Sequence, residues 1–405
     1  MTPRQTLKFS ICRRRFLQSF GTTALSSAVV GGMYLVGTGK ALAAVNHSAS
    51  QVDLPTPPNN SLYLASSVKT SKTGHQLLSL SGEQPRLKRS GWRGHQALAS
   101  PDGRFLVSVA RRPDTQLLIE DLHSGQNLFI DADEGRHYYG HGLFTPDGRW
   151  FYTPENDYEN VRGVIGKYDV AAGFIKVAEW DSHGVGPHQI AFLPQQNDEH
   201  PVMVVANGGI ETHPDYPRIK LNIDTMRPNL SYLDAKGKLL DQVEPPHFQL
   251  SLRHLDVAPD GQVWVGAQYQ GEIFESPNLI FSHRMGEALQ TVQAPTGLWS
   301  QLNGYIASLS CHKIQDTVCI TAPRANTVTF WQRSTGKLIR TQTLSDCSGA
   351  CSHPQLPLYY ISSGAGDLAA FNAENGNKIW QQRFEGIHWD NHLTWTGRLQ
   401  EQIES

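Results

Sequence analysis

A short segment that recurs along the chain limits its possible folds most strongly. It reads HQALASPDGRFLV at 95–107, HGLFTPDGRWFY at 141–152 and HLDVAPDGQVWV at 254–265, with a weaker copy, HQIAFLP, at 188–194. In the three closer copies, apolar residues flank Pro-Asp-Gly, which favours a tight turn because Pro presets the turn entry and Asp-Gly tolerates positive φ. Each copy is therefore predicted to be a β-hairpin.

The spacing of the copies indicates how the hairpins are arranged. His141 follows His95 by 46 residues and His188 follows His141 by 47, close to the length of a four-stranded propeller blade. Counting strands outward from the hairpins gives six blades. Strands within 61–92 would join the last segment, at His392, to make a seventh blade that closes the ring and leaves few exposed sheet edges. The predicted fold is an all-β, seven-bladed β-propeller.

Composition agrees with a folded chain of this class and excludes some partners. The 36 Gly and 23 Pro residues disfavour long helices, and 39% apolar residues can supply a core. A net charge of -2 with 18% charged residues argues against a disordered chain and against a nucleic-acid partner.

The N-terminus has the order of an export signal. A twin-arginine pattern, Arg13-Arg14-Arg15, precedes an apolar stretch and the small residues Ala41-Leu42-Ala43-Ala44. This order is typical of a cleaved Tat signal, with an uncleaved N-terminal anchor as the alternative. The predicted organisation is a Tat signal peptide at 1–43, a flexible linker at 44–60 and a single propeller domain at 61–405. We therefore expect a periplasmic protein that meets the Tat translocase during export and keeps no membrane span after cleavage.

Four cysteines would remain after cleavage: Cys311, Cys319, Cys347 and Cys351. In an oxidising compartment we expect disulfides, with Cys311 facing Cys319 across a hairpin and Cys347 joined to Cys351 around a small loop. The rival interpretation is a soft metal site that also uses His312 and His353.

The first residue of the innermost strand is His in five of the seven blades, namely His95, His141, His188, His254 and His392. Inner strands of a propeller line the central channel and start at one face, so these side chains should converge on one channel mouth. Neutral imidazoles gathered in this way are suitable ligands for Cu, Zn, Fe or Ni. A purely structural role, in which each His bonds a neighbouring backbone, is the alternative, and acid/base or substrate-binding roles are also open.

Other polar residues belong to loops that should surround the same mouth. Asp390 or Asp256 could orient an imidazole, or be a solvated acid. Arg253 could bind an anion or cap a strand end. His183 precedes His188 in one such loop.

A long insertion in the third blade, 208–228, could cover the channel face. His213 and Met226 make it a candidate lid or ligand donor, and a packed excursion without chemistry is the alternative. The chain lacks a Gly-x-Ser-x-Gly motif, a Cys-x-x-Cys-His motif, a Walker loop and a dinucleotide fingerprint. We therefore expect no nucleotide cofactor and no covalent haem.

Several stretches together resemble one family of Tat-exported bacterial propellers of unknown function. They are GHGLFTPDG at 140–148, YTPEND at 152–157, GVGPH at 184–188, ANGGIETHP at 206–214 and LSLRHL at 250–255. The family is distantly similar to lactonase-type and YVTN-type propellers, although no complete lactonase site is present here. Its members are found beside imelysin-type iron-uptake proteins, which implies imelysin-like partners and a role in iron or other metal acquisition.

These observations give one main hypothesis for function and two alternatives. The main hypothesis is an exported propeller that binds a transition metal, Fe or Cu in preference to Zn, or a metal-bearing ligand at the His-lined mouth. The first alternative is a metal-assisted hydrolase or an oxidoreductase. The second is a protein-binding scaffold without catalysis, and the sequence leaves open whether the protein is an enzyme.

Overall fold

Each Pro-Asp-Gly segment lies in a tight turn between two antiparallel strands, as the sequence predicts. In the first of them the N–H of Gly103 donates to the Ser100 carbonyl at 2.8 Å, and Gly103 has a φ of 73°. A residue with a Cβ is strained in that region, so Gly fits the turn. The equivalent bond from Gly148 to the Thr145 carbonyl is also 2.8 Å.

The structure is a computed structural model that describes residues 63–82, 84–112, 114–194, 201–216 and 219–397. The predicted signal peptide (1–43) and linker (44–60) lie outside the described residues. The described residues belong to one unit, Leu54–Ser405, and form seven antiparallel sheets. The prediction of an all-β, seven-bladed propeller is therefore confirmed.

The strands follow one another outward from the channel in each blade. The described chain begins with β1 (Tyr63–Thr70), β2 (Gly74–Ser81) and β3 (Gln84–Arg89). Blade one contains β4 (Gly94–Ala99), β5 (Phe105–Ala110), β6 (Gln116–Asp121) and β7 (Asn127–Asp131). Blade two contains β8 (Arg136–Tyr138), β9 (Leu143–Phe144), β10 (Trp150–Asp157), β11 (Arg162–Asp169) and β12 (Ile175–Asp181). Blade three contains β13 (Pro187–Phe192), β14 (Met203–Asn207), β15 (Asn229–Leu233) and β16 (Leu239–Val243).

The remaining blades repeat this order. Blade four contains β17 (Leu250–Val257), β18 (Val263–Tyr269), β19 (Ile280–His283) and β20 (Gln290–Thr291). Blade five contains β21 (Ser308–Cys311), β22 (Thr317–Ala322), β23 (Thr327–Gln332) and β24 (Lys337–Thr343). Blade six contains β25 (Cys347–Ser352), β26 (Leu358–Ser363), β27 (Asp367–Asn372) and β28 (Lys378–Arg383), and β29 (Ile387–Trp389) and β30 (Thr394–Trp395) follow it. In the part of the chain that the structure describes, helical structure is confined to α1 (Leu298–Gln301) and the 3-10 turns Ile223–Thr225, Ile273–Glu275 and Pro323–Ala325.

The two ends of the ring meet in a seventh sheet, the closing blade. Strand β1 pairs with β29, with Val68 opposite Trp389, and with β30, with Leu64 opposite Trp395. Strands β2 and β3 complete this blade on its outer side. The predicted closure by N-terminal strands is therefore present, and it gives the inner strand that carries His392 its partner.

Apolar side chains fill the spaces between adjacent blades. The largest cluster joins blades three, four and five and includes Trp264 and Trp331, both fully buried. Trp299 of α1 stacks on Trp331 with an interplanar angle of 7°. Among the described residues, no helix has the length and apolar character needed to span a bilayer.

The disulfide prediction is wrong in this structure, because all four described cysteines are free and buried. Cys311 lies opposite Val318, and Cys319 lies opposite Ser310. A shift of one residue in a strand turns a side chain to the other face of the sheet, so Cys311 and Cys319 pack into different apolar clusters.

The other pair fails for a different reason. Cys347 and Cys351 lie on the same strand, β25, and four extended residues span roughly 13 Å, whereas a disulfide needs Cα atoms within about 7 Å. The rival soft metal site is not formed either. The Nδ1 atoms of His312 and His353 accept N–H bonds from their own following turns, and no cysteine belongs to a potential metal-binding group of the described residues.

Candidate metal centre

A local irregularity of the inner strand accompanies each of the five inner-strand histidines. The register shifts between Gly94 and Ala97 around His95, between Pro187 and Gln189 around His188, and between Leu252 and His254. In the other two cases the inner strand is divided: β8 and β9 flank His141, and β29 and β30 flank His392. Bulges re-aim side chains out of the regular alternation of a strand, so these irregularities let the imidazoles turn toward one another.

The five imidazoles, here called the five-histidine cluster, form a closed ring of contacts. Between neighbours the ring centroids are 5.0 Å apart for His95–His141, 4.9 Å for His141–His188, 4.6 Å for His188–His254, 4.8 Å for His254–His392 and 4.4 Å for His392–His95. Residues from five blades therefore meet at one place, where the inner strands begin. None of the five side chains is more than 7% exposed.

Hydrogen bonds fix two members of the cluster. The Nδ1 atom of His95 lies 3.1 Å from Oδ1 of Asp390, whose other oxygen accepts a bond from Arg93 at 2.7 Å. The Nδ1 atom of His254 lies 3.3 Å from the Ile306 carbonyl. An acceptor at Nδ1 requires the proton there, so Nε2 carries a lone pair on both rings. The lone pair of His95 faces Nε2 of His392 at 3.1 Å.

Other ring nitrogens of the cluster have no partner among the described residues. Both nitrogens of His141, Nδ1 of His188 and Nε2 of His254 are buried and make no hydrogen bond. Buried polar atoms are nearly always satisfied in folded proteins, so orphaned atoms call for an explanation such as a bound ion. Their concentration in one small volume distinguishes this cluster from a set of structural histidines.

Burial keeps the imidazoles neutral. Desolvation holds the pKa of His95, His141 and His254 well below the usual value of 6.5, and the neighbouring His392 adds to the effect on each. Desolvation likewise holds the pKa of His188 well below 6.5 and lowers that of His392 to about 3. Only the neutral form of imidazole binds a metal ion, so the cluster is ready to bind at neutral pH without losing protons.

The donor geometry suits a metal ion. One nitrogen from each of His95, His141, His188 and His254 lies within 4.8 Å of the other three. A metal ion held at about 2.1 Å by each nitrogen places two ligand nitrogens at most about 4.2 Å apart. A modest contraction of the ring would therefore complete coordination. The site could hold a metal ion, with His392 beside it as a possible fifth donor.

Of the other predicted site residues, Asp390 and Arg253 lie at the cluster. Asp390 orients His95, as described above. Burial lowers the pKa of His188 and His254 most, and other histidines of the cluster come next. The charge of Arg253 adds a smaller effect in the same direction. Among the described residues, the Arg253 guanidinium makes one hydrogen bond, which Nε donates to the Ser251 hydroxyl at 3.2 Å.

Three predicted residues point elsewhere. Asp256 accepts the N–H of Cys311 at 2.7 Å and does not orient an imidazole. The ring of His183 bonds the Gly237 carbonyl at 3.2 Å. His213 packs edge-on against Tyr158 at 5.1 Å and lies outside the five-histidine cluster. Each of these three side chains therefore has its partner outside the five-histidine cluster.

The insertion is tied to blade two near the mouth. Asn156 donates one amide N–H to the Thr212 carbonyl at 3.0 Å, and the same nitrogen lies 3.0 Å from Nε2 of His137. Met226 is 1% exposed and so is a core residue of the insertion. The insertion is thus a packed excursion that borders the mouth, and His137 and Asn156 are its anchors.

Sequence reasoning missed a group of cations at the same mouth. They are Arg111, Arg112, Lys220 and Arg324, which with Arg253 are here called the mouth cations. Arg111 and Arg112 follow β5, and Arg324 follows β22. The second strand of a blade ends where its inner strand begins, so the argument that predicted convergence of the histidines also applies to these residues.

Comparisons with known proteins agree with the fold and leave the chemistry open. Residues 90–396 match a family model described as "Protein of unknown function (DUF1513)". No curated protein matches the chain. The crystal structure of Saccharomyces cerevisiae Sqt1 is similar, with 13% identity, a TM-score of 0.55, and coverage of 81% of this chain and 84% of that chain. At that identity the similarity concerns the fold alone.

Proposed function

This chain belongs to the DUF1513 family of proteins of unknown function, and we propose from its own side chains that it binds a transition metal ion in the five-histidine cluster. The observation that carries the proposal is the environment of the His141 ring. Its ring is fully buried and both of its nitrogens lack a partner. A buried polar group without a partner costs about 1–3 kcal/mol, and a bound ion would remove that cost.

The donor set restricts the ion. Five neutral imidazoles without a carboxylate or thiolate ligand suit Cu, Fe, Ni or Zn better than Mg or Ca. Four converging nitrogens also suit a tetrahedral zinc ion. Our preference for Cu or Fe over Zn therefore rests on the resemblance to metal-uptake propellers described above.

The cellular role is proposed from the resemblance described above. An exported, periplasmic propeller that binds Fe or Cu would serve in the uptake or handling of that metal, with imelysin-like proteins as partners. The twin-arginine pattern supports this role, because Tat substrates fold before export and can carry a metal that was inserted beforehand.

Elemental analysis of the purified protein tests the proposal. We expect one equivalent of Cu or Fe per chain, either as isolated or after reconstitution with Cu(I), Cu(II) or Fe(II) and removal of excess ion. Absorption and paramagnetic resonance spectra should then report nitrogen ligands. Absence of stoichiometric metal both before and after reconstitution would contradict the proposal.

A further inference from the structure

The mouth cations carry a charge that nothing in the described part of the chain neutralises. Arg111, Arg112, Lys220, Arg253 and Arg324 have no carboxylate within ion-pair distance among the described residues. Seventeen such pairs occur in that part of the chain, and the two at the five-histidine cluster join Asp390 to Arg93 and His95. The cations also come from four different segments, so their meeting is a product of the fold.

Blade two contains a cluster of charged side chains that is compensated within the protein. Lys176 lies 2.7 Å from Asp133, 2.9 Å from Glu155 and 3.0 Å from Glu179. Those three carboxylates are close enough together to suggest a cation site, but the Lys176 ammonium already occupies the position between them. Here charge is compensated within the protein. At the mouth it is not.

The mouth cations lie near one another; Arg111, Arg112 and Arg253 are partly withdrawn from water, whereas Lys220 and Arg324 are exposed. Burial and, after it, the charges of Arg253, Arg324 and Arg112 lower the pKa of Lys220. Arg112 has a buried Nη1 atom without a hydrogen-bond partner. A half-buried guanidinium with an unused donor among like charges is unfavourable unless an anion joins it.

Neutral side chains hold these cations in place and leave donors free. The guanidinium of Arg324 lies 4.4 Å from the ring centroid of Tyr305, and the ammonium of Lys220 donates to the side chain of Gln270. These contacts orient the cations without neutralising them. The N–H groups that remain can donate to an oxyanion, and arginine matches carboxylate geometry with two parallel bonds.

The mouth cations also adjoin the five-histidine cluster. The backbone N–H of Arg111 donates to the carbonyl of Arg93, two residues before His95, at 2.9 Å, and Arg253 directly precedes His254 in β17. A divalent ion bound by neutral imidazoles would add two positive charges beside the mouth cations. An anion at the mouth would offset both.

We propose that the mouth binds a small di- or tricarboxylate, which Arg112, Arg253 and Lys220 hold beside the metal ion. Several cations distributed around the mouth match several negative groups on one molecule, which favours a polycarboxylate over a monoanion. The part of this proposal that places the anion beside a metal rests on the proposed function. The anion site itself is formed by the cations and does not need the metal.

Calorimetric titration of the metal-free, full-length protein with citrate tests this proposal, with acetate and inorganic phosphate as comparison ligands. We expect citrate to bind more tightly than either and its affinity to fall with added salt. Arg112→Gln should weaken citrate binding about tenfold or more without lowering the thermal midpoint of the apo protein, because the substitution relieves repulsion. Arg89→Gln, at an exposed arginine outside the mouth, should leave citrate binding unchanged.

Separate variants distinguish this proposal from the metal proposal. His141→Ala should abolish metal binding and leave citrate binding to the apo protein intact, whereas Arg112→Gln should keep the metal stoichiometry. Loss of citrate affinity in Arg89→Gln equal to that in Arg112→Gln, phosphate binding as tight as citrate binding, or no citrate binding by the apo protein would each overturn the polycarboxylate site. Citrate binding in a protein that takes up no metal would overturn only the metal proposal.

Discussion

The Nε2 atoms of His95 and His392 lie 3.1 Å apart, although 297 positions separate the two residues in the chain. Because Asp390 accepts a hydrogen bond from the Nδ1–H of His95, the Nε2 atom of His95 presents a lone pair, and only a proton on His392 or a bound cation can lie between the two nitrogens. The pair is therefore a position where a metal ion can replace a hydrogen bond.

The double variant His141→Ala, His254→Ala should lose the metal and keep the fold. Both side chains have buried nitrogens without partners, so their removal should cost the apo protein about 2 kcal/mol or less per site. Elemental analysis measures the metal, and circular dichroism with thermal unfolding measures the fold. His123→Ala, at an exposed histidine of blade one, is the control and should retain full stoichiometry. Metal retained in the double variant at the wild-type level would rule out these residues as ligands.

Asp390→Asn should weaken metal binding about 10- to 100-fold, because carboxylates that orient ligand imidazoles contribute that much to affinity. Competition with a chelator of known affinity measures the change. Asp367→Asn is a matched control, since both carboxylates are 10% exposed and each pairs with an arginine, Arg93 or Arg383. Equal loss of affinity in both variants would show that Asp390 has no special role.

The stability of the metal-free protein should fall as the pH drops below about 6.5. The unfolded imidazoles take up protons there, whereas burial holds the pKa of the folded ones far lower, at about 3 for His392. The unfolded state then binds more protons, so each buried imidazole reduces the free energy of unfolding by up to about 1.4 kcal/mol per pH unit. The free energy of unfolding should continue to fall until the pH reaches the pKa values of the imidazoles in the folded protein.

Urea unfolding at several pH values between 7.5 and 5 measures this dependence. His188→Gln removes one such imidazole and should make the dependence shallower, whereas His123→Gln should not alter it. The interpretation is wrong if wild type and His188→Gln have the same pH dependence.

The four buried cysteines should be unreactive in the folded protein. Burial raises the pKa of Cys311 and Cys319 well above the usual value and raises that of Cys347 to about 12, so few thiolates are available to react. Alkylation followed by mass spectrometry should modify Cys311, Cys319, Cys347 and Cys351 only in denaturant. Recovery of a disulfide-linked peptide that contains any of them would contradict the structure.

Much of the fold could be predicted from the sequence because the repeat carries local information. The predicted hairpins and the seven-bladed ring are both present, since each hairpin turn fixes the register of its two strands. The convergence of the histidines followed from the symmetry of the ring. The bulges around His95 and His188 could not be predicted, because a bulge depends on how neighbouring blades pack.

The wrong predictions concern the direction in which individual side chains point, which also depends on the packing of the blades. A shift of one residue in register decides which face a side chain occupies, and this separates Cys311 from Cys319. Asp390 and Asp256 both lie near inner-strand histidines in the sequence, but only Asp390 reaches an imidazole. The mouth cations other than Arg253 could not be identified from the sequence, because arginine and lysine at loop positions are common and become informative only when the carboxylates around them are known.

Closure of the ring by β1 has a consequence for when the ion can be bound. His392 lies between β29 and β30, and both pair with β1, which stands at the other end of the described chain. During synthesis, the proposed ion site therefore lacks His392 until β29 and β30 have been made and have paired with β1. Binding of the ion would thus require that the closing blade has been made and that the ring has closed. A truncated protein without β29 and β30 would fail to bind the ion.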